Sequence, residues 1–171
     1  LHPVARQEID NARSRPVTIF VLIFIDTPPF YCSVDLRNAG FKLAPVDTNL
    51  FPGGFNNLSV EMLPLAVQAT MAAIEKYCPD AKNLLLIPES HTRNIYYLQN
   101  IARLIRILRQ TGLNVRLGSL SEDIKVPTPF TLPDGTTLML EPLARINNGR
   151  RVGVGDFNPC TILLNNDLSS G

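Results

Sequence analysis

The chain has 171 residues, enough for one domain with a small appendage. A chain of that size buries about 70% of its unfolded surface on folding, so it needs no disulfide or metal staple. Hydrophobic residues make up 45% and charged residues 18%, which excludes a disordered chain, and a net charge of +1 provides no field that would recruit nucleic acid or an anionic membrane.

Cys32, Cys78 and Cys160 stand far apart with no CxxC pair, which excludes a zinc ribbon and points to a reducing compartment. Two histidines, His2 and His91, cannot build a multi-histidine metal site, and no metal site is expected. The localisation expected from these features is cytoplasmic.

The opening residues 1–16 read as a short helix or loose arm. The run VTIFVLIFI, Val17 to Ile25, is nine residues long, against the roughly 20 that a membrane-spanning helix requires. Glu8 and Asp10 interrupt the basic flank of a signal peptide, and Asp26-Thr27-Pro28-Pro29 follows where a small-residue cleavage site would stand. Its β-branched content predicts a buried strand. Residues 27–33 read as a proline-interrupted extended stretch. Phe41 to Val46 alternates loosely, and Pro45 confines any strand there to an edge or an end. DTNLFPGGFNN, residues 47–57, is a loop.

A helix is expected next, with Ser59 as N-cap, Glu61 near the positive end of the dipole and Pro64 in the first turn. Leu65, Ala66, Ala69, Ala73 and Ile74 form its stripe, and Cys78-Pro79-Asp80 ends it. Asn83 to Ile87 is a continuous apolar run, as in a strand buried on both faces. Ile95, Leu98, Ala102, Ile105 and Leu108 mark one face of a second helix, which Gly112 closes from the left-handed position beyond its end. Arg103, Arg106 and Arg109 form a solvated row beside that face. Leu113 to Leu117 is the next strand, and the βαβ unit so formed should cross over right-handed. Asp134-Gly135 and Asn148-Gly149 mark turns around strands at 136–140 and 150–154, a hairpin or meander in which VGVG, residues 152–155, is structural. Cys160 to Leu164 is a final buried strand.

These elements predict an α/β fold: a three-layer, Rossmann-like domain with a mostly parallel sheet and a C-terminal β-hairpin insertion. In such sheets ligands bind outside the carboxyl ends of the strands. Three polar clusters fall there: Asp47-Thr48-Asn49, Glu89 to Asn94, and Asn165-Asn166-Asp167. Each cluster alone is ordinary turn chemistry; all three at one edge would make a site. Gly53 and Gly54 could expose backbone N–H groups to an anion, or simply form a tight turn packed by two Phe. Neither a Walker motif nor a dinucleotide fingerprint is present.

The stretches FYCSVDLRNAGFKLAPVDTNLFPGGFNNL (residues 30–58), LIPESHTRN (86–94) and LLNNDLS (163–169) resemble the proteobacterial glutamate–cysteine ligases of the less common GshA type, in their N-terminal portion. The resemblance runs from about residue 28 to residue 171, so residues 1–27 read as an atypical arm and apolar strand, and residues 28–171 as the α/β substrate-side domain. It implies an ATP-dependent ligase that joins the side-chain carboxylate of L-glutamate to L-cysteine, forming γ-glutamylcysteine in the first step of glutathione synthesis. ATP and Mg2+ are then expected, bound mainly outside these residues in a further ATP-binding domain, and the 171 residues alone are expected to be inactive. Small molecules, not nucleic acid or a membrane, are the expected partners.

Such a ligase must hold an amino acid by both charged ends. Arg37 or Arg93 could take the carboxylate and Asp47 or Glu89 the ammonium. Asn49, Asn56, Asn165 and Asn166 could fix orientation, with Gly53, Gly54, His91 and Asp167 completing the substrate-binding set. No residue is singled out as catalytic. Two alternatives stand beside this reading: a non-catalytic domain that binds an amino acid or small carboxylate, and a hydrolase using His91 and Glu89. The hydrolase is disfavoured by the lack of a nucleophile-elbow pattern.

Overall fold

The computed structural model describes residues 29–90 and 94–166. The apolar run at 17–25 and the expected boundary at 27/28 lie outside the described residues. The chain divides into two compact units, Leu1–Pro52 and Gly53–Gly171.

In the first unit, β1 (Ser33–Asn38) and β2 (Leu43–Asn49) form an antiparallel ribbon. Asp35 pairs with Asp47 but Leu36 pairs with Pro45, so Val46 is the extra residue of a bulge. Pro45 is tolerated because, among the described residues, the ribbon has two strands and so consists only of edges. The strand β1 was not expected, although Val34 and Leu36 alternate with Asp35 and Arg37. Val34 is buried, whereas Phe41, Leu43, Val46 and Leu50 are exposed.

The second unit opens with 3-10 turns at Phe55–Asn57 and Val60–Met62, followed by α1 (Leu63–Tyr77). Ser59 caps the second 3-10 turn, not α1, and hydrogen-bonds Glu61. Pro64 sits in the first turn of α1, where its missing N–H costs nothing. Leu65 is exposed; Ala66, Val67, Thr70, Ala73 and Ile74 form the half-buried face.

The main sheet has the order β5-β6-β4-β3-β8. Its centre, β3 (Asn83–Pro88), lies parallel to β4 (Asn114–Ser119) and to β8 (Thr161–Asn165). Leu84, Leu85 and Leu86 are all buried, as the unbroken apolar run requires. The amphipathic α2 (Ile95–Gln110) links β3 to β4. Its buried stripe runs through Leu98, Ile101, Leu104, Ile105 and Leu108, while Ile95 is 44% exposed, so the face is rotated from the expected one. Gly112 follows at φ +92°, a conformation that costs other residues a Cβ clash.

β4 also pairs parallel with β6 (Thr137–Ile146), but only through Leu117–Leu140, Gly118–Glu141 and Ser119–Pro142. This connection contains no helix. Pro127 and Pro129 disfavour one, and the chain instead lays down the edge strand β5 (Thr128–Thr131), antiparallel to β6. The far half of β6 pairs with β7 (Arg151–Val154) through a turn with positive φ at Asn147, Asn148 and Gly149. Both turns predicted in this meander are present.

Two surfaces cover the sheet. α2 brings its apolar stripe to the sheet, and α1 packs on α2. Leu85 and Ile87 instead meet Val154 and Phe157, with Leu143 and Val152 beside them, so the folded-over hairpin supplies the third layer. Gly153 permits this closure: a Cβ there would lie 2.7 Å from the Phe157 carbonyl oxygen. No helix of the described residues is long and apolar enough to cross a membrane.

Candidate functional site at the carboxyl edge of the sheet

β3 and β8 run in the same direction, so their carboxyl ends deliver residues to one edge. Pro88 pairs with Asn165 at the last rung. Immediately beyond it stand Glu89, half-buried, and Asn166, buried. The N-terminus of α2 returns to this edge, with Asn94 as N-cap: its Oδ1 accepts from the Tyr97 N–H at 3.2 Å.

Tyr97 holds the edge together. Its hydroxyl accepts from the Glu89 N–H at 2.9 Å and lies 2.8 Å from the Asn165 carbonyl oxygen and 3.0 Å from Asn165 Oδ1. The single phenolic proton serves one of those two acceptors at a time. Asn166 Nδ2 reaches the Pro88 carbonyl at 3.4 Å. The two asparagines are thus bonded within the edge and fix its shape, while Glu89 and Ser90 form its more exposed lip. Tyr97 was not foreseen. It stands four residues before Ile101 on the buried face, but its partner lies 68 residues away in sequence.

The turn after Pro52 is also tied to α2. Asn100 is 2% exposed, and its Oδ1 accepts from the Phe55 N–H at 2.8 Å. The Asn57 N–H bonds the Gly54 carbonyl. An anion at this turn would therefore not find the N–H groups of Phe55 and Asn57 available; Gly53 is exposed, and Gly54 and Asn56 are half-buried. The signal for Asn100 was a lone amide within an otherwise apolar helical face. Its Nδ2 has no hydrogen-bond partner among the described residues.

The remaining predicted residues are distributed differently. Arg37, Asp47 and Asn49 are exposed in the first unit. Asp47 Oδ1 accepts from the Thr48 N–H at 2.9 Å and Asn49 Oδ1 from the Phe51 N–H at 2.8 Å, both local turn bonds. His91, Arg93 and Asp167 lie outside the described residues. The structure therefore brings together Glu89, Asn165 and Asn166 within the second unit.

A charged cluster lies away from this edge. Arg116 forms a two-pronged pair with Glu141, including an Nε–Oε1 bond of 2.6 Å, and reaches Asp156 at 2.8 Å. Its guanidinium also stands 5.3 Å from the centre of the Phe157 ring. The Glu141 and Asp156 carboxylates raise the pKa of Arg116, which in turn holds the Asp156 carboxyl below its usual range. Glu141 is 4% exposed and its pairing leaves no bare charge inside, while the Arg116–Asp156 contact ties the loop after β7 to the sheet. A cavity of about 70 Å3 lies where β4 and β6 splay apart, lined by Ile105, Arg109, Arg116, Leu138 and Glu141 among others; it is small for an amino acid. Among the described residues, no group of three or more His, Cys, Asp or Glu could hold a metal ion.

The second unit is thus an α/β domain with a mostly parallel sheet and a polar carboxyl edge. The family model for glutamate–cysteine ligase, GshA, matches residues 20–171, starting within the apolar run before the first described residue. The chain is 53% identical to a protein from Methylobacillus flagellatus KT, assigned as a gamma-glutamylcysteine synthetase and solved by crystallography at 1.90 Å. That match has a TM-score of 0.79 and covers 99% of this chain and 37% of the other. No curated protein matches. The chain belongs to the glutamate–cysteine ligase family, and it spans little more than a third of the solved relative's length.

Proposed function

We propose that these residues form the amino-acid-binding part of an ATP-dependent ligase that joins the side-chain carboxylate of L-glutamate to the amine of L-cysteine. Membership of the glutamate–cysteine ligase family supports the reaction class. The observation that carries the local assignment is the Tyr97 bridge, which fixes Glu89 beside Asn165 at the carboxyl edge. Glu89 offers an anionic lip to a substrate ammonium. Asn165 and Asn166 position that lip without titrating, which limits the orientations a bound amino acid can adopt. Arg37, Asp47, Asn49, Gly53, Gly54, Asn56, His91, Arg93 and Asp167 remain proposed members of the substrate-binding set.

In the reaction proposed for the whole protein, ATP phosphorylates the glutamate side-chain carboxylate, and the cysteine amine then displaces phosphate from the acyl phosphate. The described residues do not fit a Mg2+ site, because they assemble no cluster of carboxylate ligands. No step through the ion is therefore assigned to them, and nucleotide binding is proposed to reside in a further domain of the whole protein. Residues 28–171 are proposed as the substrate-side domain and residues 1–27 as an arm.

The test is ADP release by the whole protein. Turnover should require both glutamate and cysteine. Glu89→Gln, which keeps shape and removes charge, should lower kcat/KM for one amino acid by roughly ten- to a hundredfold. Turnover without either amino acid would overturn the ligase reading, whereas unchanged kinetics in Glu89→Gln would overturn the edge assignment. Amino-acid binding with no ADP release would identify a binding domain instead.

A further inference from the structure

Gly53 and Gly54 differ in what makes them glycine. Gly54 stands at φ +85°, in the left-handed region that a Cβ penalises. Gly53 is not held at a positive φ, and a Cβ built on it meets no atom within 4 Å. Neither backbone conformation nor packing therefore requires a glycine there. The remaining physical use of one is close approach of another group to the bare backbone. Donors for such an approach are present. Among the described residues the N–H groups of Gly53 and Gly54 make no hydrogen bond, whereas the next one, of Phe55, is held by Asn100 Oδ1 at 2.8 Å.

Asn100 adds an independent observation. It is 2% exposed, and its Nδ2 is an orphaned donor among the described residues. Oδ1 and Nδ2 belong to one planar amide, so Nδ2 lies within about 5 Å of the Phe55 nitrogen. A buried amide that commits its carbonyl to the turn and leaves its own donor empty is costly as a purely structural latch. An oxygen acceptor seated at the turn would relieve that cost. The same helix also carries the latch of the sheet edge. Tyr97, which bridges Glu89 and Asn165, precedes Asn100 by three residues, so the two share a face of α2 with Cβ atoms about 5–6 Å apart.

We propose that the Gly53–Gly54 turn is the subsite for the α-carboxylate of the amino acid whose ammonium meets Glu89, and that Asn100 is the residue that positions it. The turn offers donors and no acceptor side chain, which suits carboxylate oxygens; Glu89 offers an anion, which suits the ammonium. An amino acid carries both groups on one carbon, so recognition of both ends at once selects a free amino acid over one whose carboxyl group is blocked. Asn100 fixes the turn through Phe55 and is placed by the helix that fixes Glu89, so a single element sets both halves of the site. The proposal rests on the amino-acid-binding reading given above and deepens it.

The experiment measures binding of L-glutamate, L-cysteine and their α-carboxamides to the whole protein by isothermal titration calorimetry, with Tm read alongside. Wild type should bind one of the two amino acids about tenfold or more tightly than its carboxamide. Gly53→Ala places a methyl group in open space, so Tm should be unchanged while most of that preference is lost through weaker binding of the carboxylate form. Asn100→Leu should lose the preference as well, with a lower Tm. A purely structural latch would lower Tm and leave the preference intact. Wild-type affinity and preference in Gly53→Ala would overturn the subsite, whatever the folding of Asn100→Leu. Folded Asn100→Leu with the wild-type preference would overturn the positioning role. Binding of neither amino acid by the wild type would overturn the subsite and the reading beneath it together. Since no ADP release is measured, failure of the ligase chemistry alone does not affect the result.

Discussion

The β1–β2 ribbon and the main sheet have comparable stores of apolar residues and opposite ways of using them. In the ribbon, Phe41 is 93% exposed and Leu43 61%. In β3, Leu84, Leu85 and Leu86 are no more than 2% exposed. The ribbon's polar side chains bond locally, Asn38 to Gly40 and Asn49 to Phe51, whereas the sheet is tied by contacts between residues distant in sequence. An isolated two-stranded ribbon is marginal in water, because one pairing does not offset the entropy of ordering it. Among the described residues, the sheet can therefore act as a rigid support for a site, while the two strands of the ribbon by themselves would be of little intrinsic stability.

Truncation should break the comparison most visibly. Leu85→Ala removes a fully buried side chain that meets the hairpin layer, and should cost about 2–5 kcal/mol of unfolding free energy in urea. Phe41→Ala should change it by no more than about 0.5 kcal/mol. Comparable losses from the two would refute the division between them.

Glu141→Gln should cost about 1–3 kcal/mol in the same assay. It leaves Arg116 short of its main partner but not fully buried, since 29% of that side chain is exposed, and so falls below the roughly 3–5 kcal/mol expected for breaking a fully buried pair. Tyr97→Phe sharpens the contrast at the candidate site. Loss of the hydroxyl leaves the Glu89 N–H and the Asn165 acceptors without their shared partner, at a cost of about 1–2 kcal/mol. In the whole protein, amino-acid KM should rise more than kcat falls if Tyr97 positions the edge. A stability loss with unchanged kinetics would make it a purely structural latch.

The smallest effect is one of pH. Arg116 depresses the Asp156 pKa in the folded chain below the unfolded value of about 3.9. The resulting stabilisation is complete above that value and is lost as pH falls through the folded pKa. Thermal melts of wild type and Asp156→Asn should differ slightly near neutral pH and converge in acid. A gap that widens on acidification would contradict the sign.

Much of this architecture was legible in sequence because burial on both faces leaves continuous apolar runs. Asn83 to Ile87 and Cys160 to Leu164 announced their strands within a residue of the observed limits. Gly112 and the hairpin asparagines marked their turns through the backbone conformations they tolerate. β1 was hidden by the prolines before it, and the true face of α2 by Ile95, which matches the helical period yet is exposed. At the candidate site, the placement of Glu89, Asn165 and Asn166 at one sheet edge was legible from the carboxyl-end rule. Tyr97 was not, since nothing local specifies a phenol whose acceptor belongs to β8. Glu141 carried a usable signal: a carboxylate inside an apolar strand requires a partner, although only the fold could identify Arg116.

The ten residues of β6 belong to two layers at once. Through Pro142 the strand is a member of the main sheet, and from Leu143 to Ile146 it is one arm of the hairpin that folds over that sheet. Neither layer can open at this seam without loosening a backbone shared with the other. The amides of β7 should therefore exchange with solvent hydrogen on the same timescale as those of β4, as one cooperative unit, although β7 by itself is only a four-residue strand on the sheet's margin.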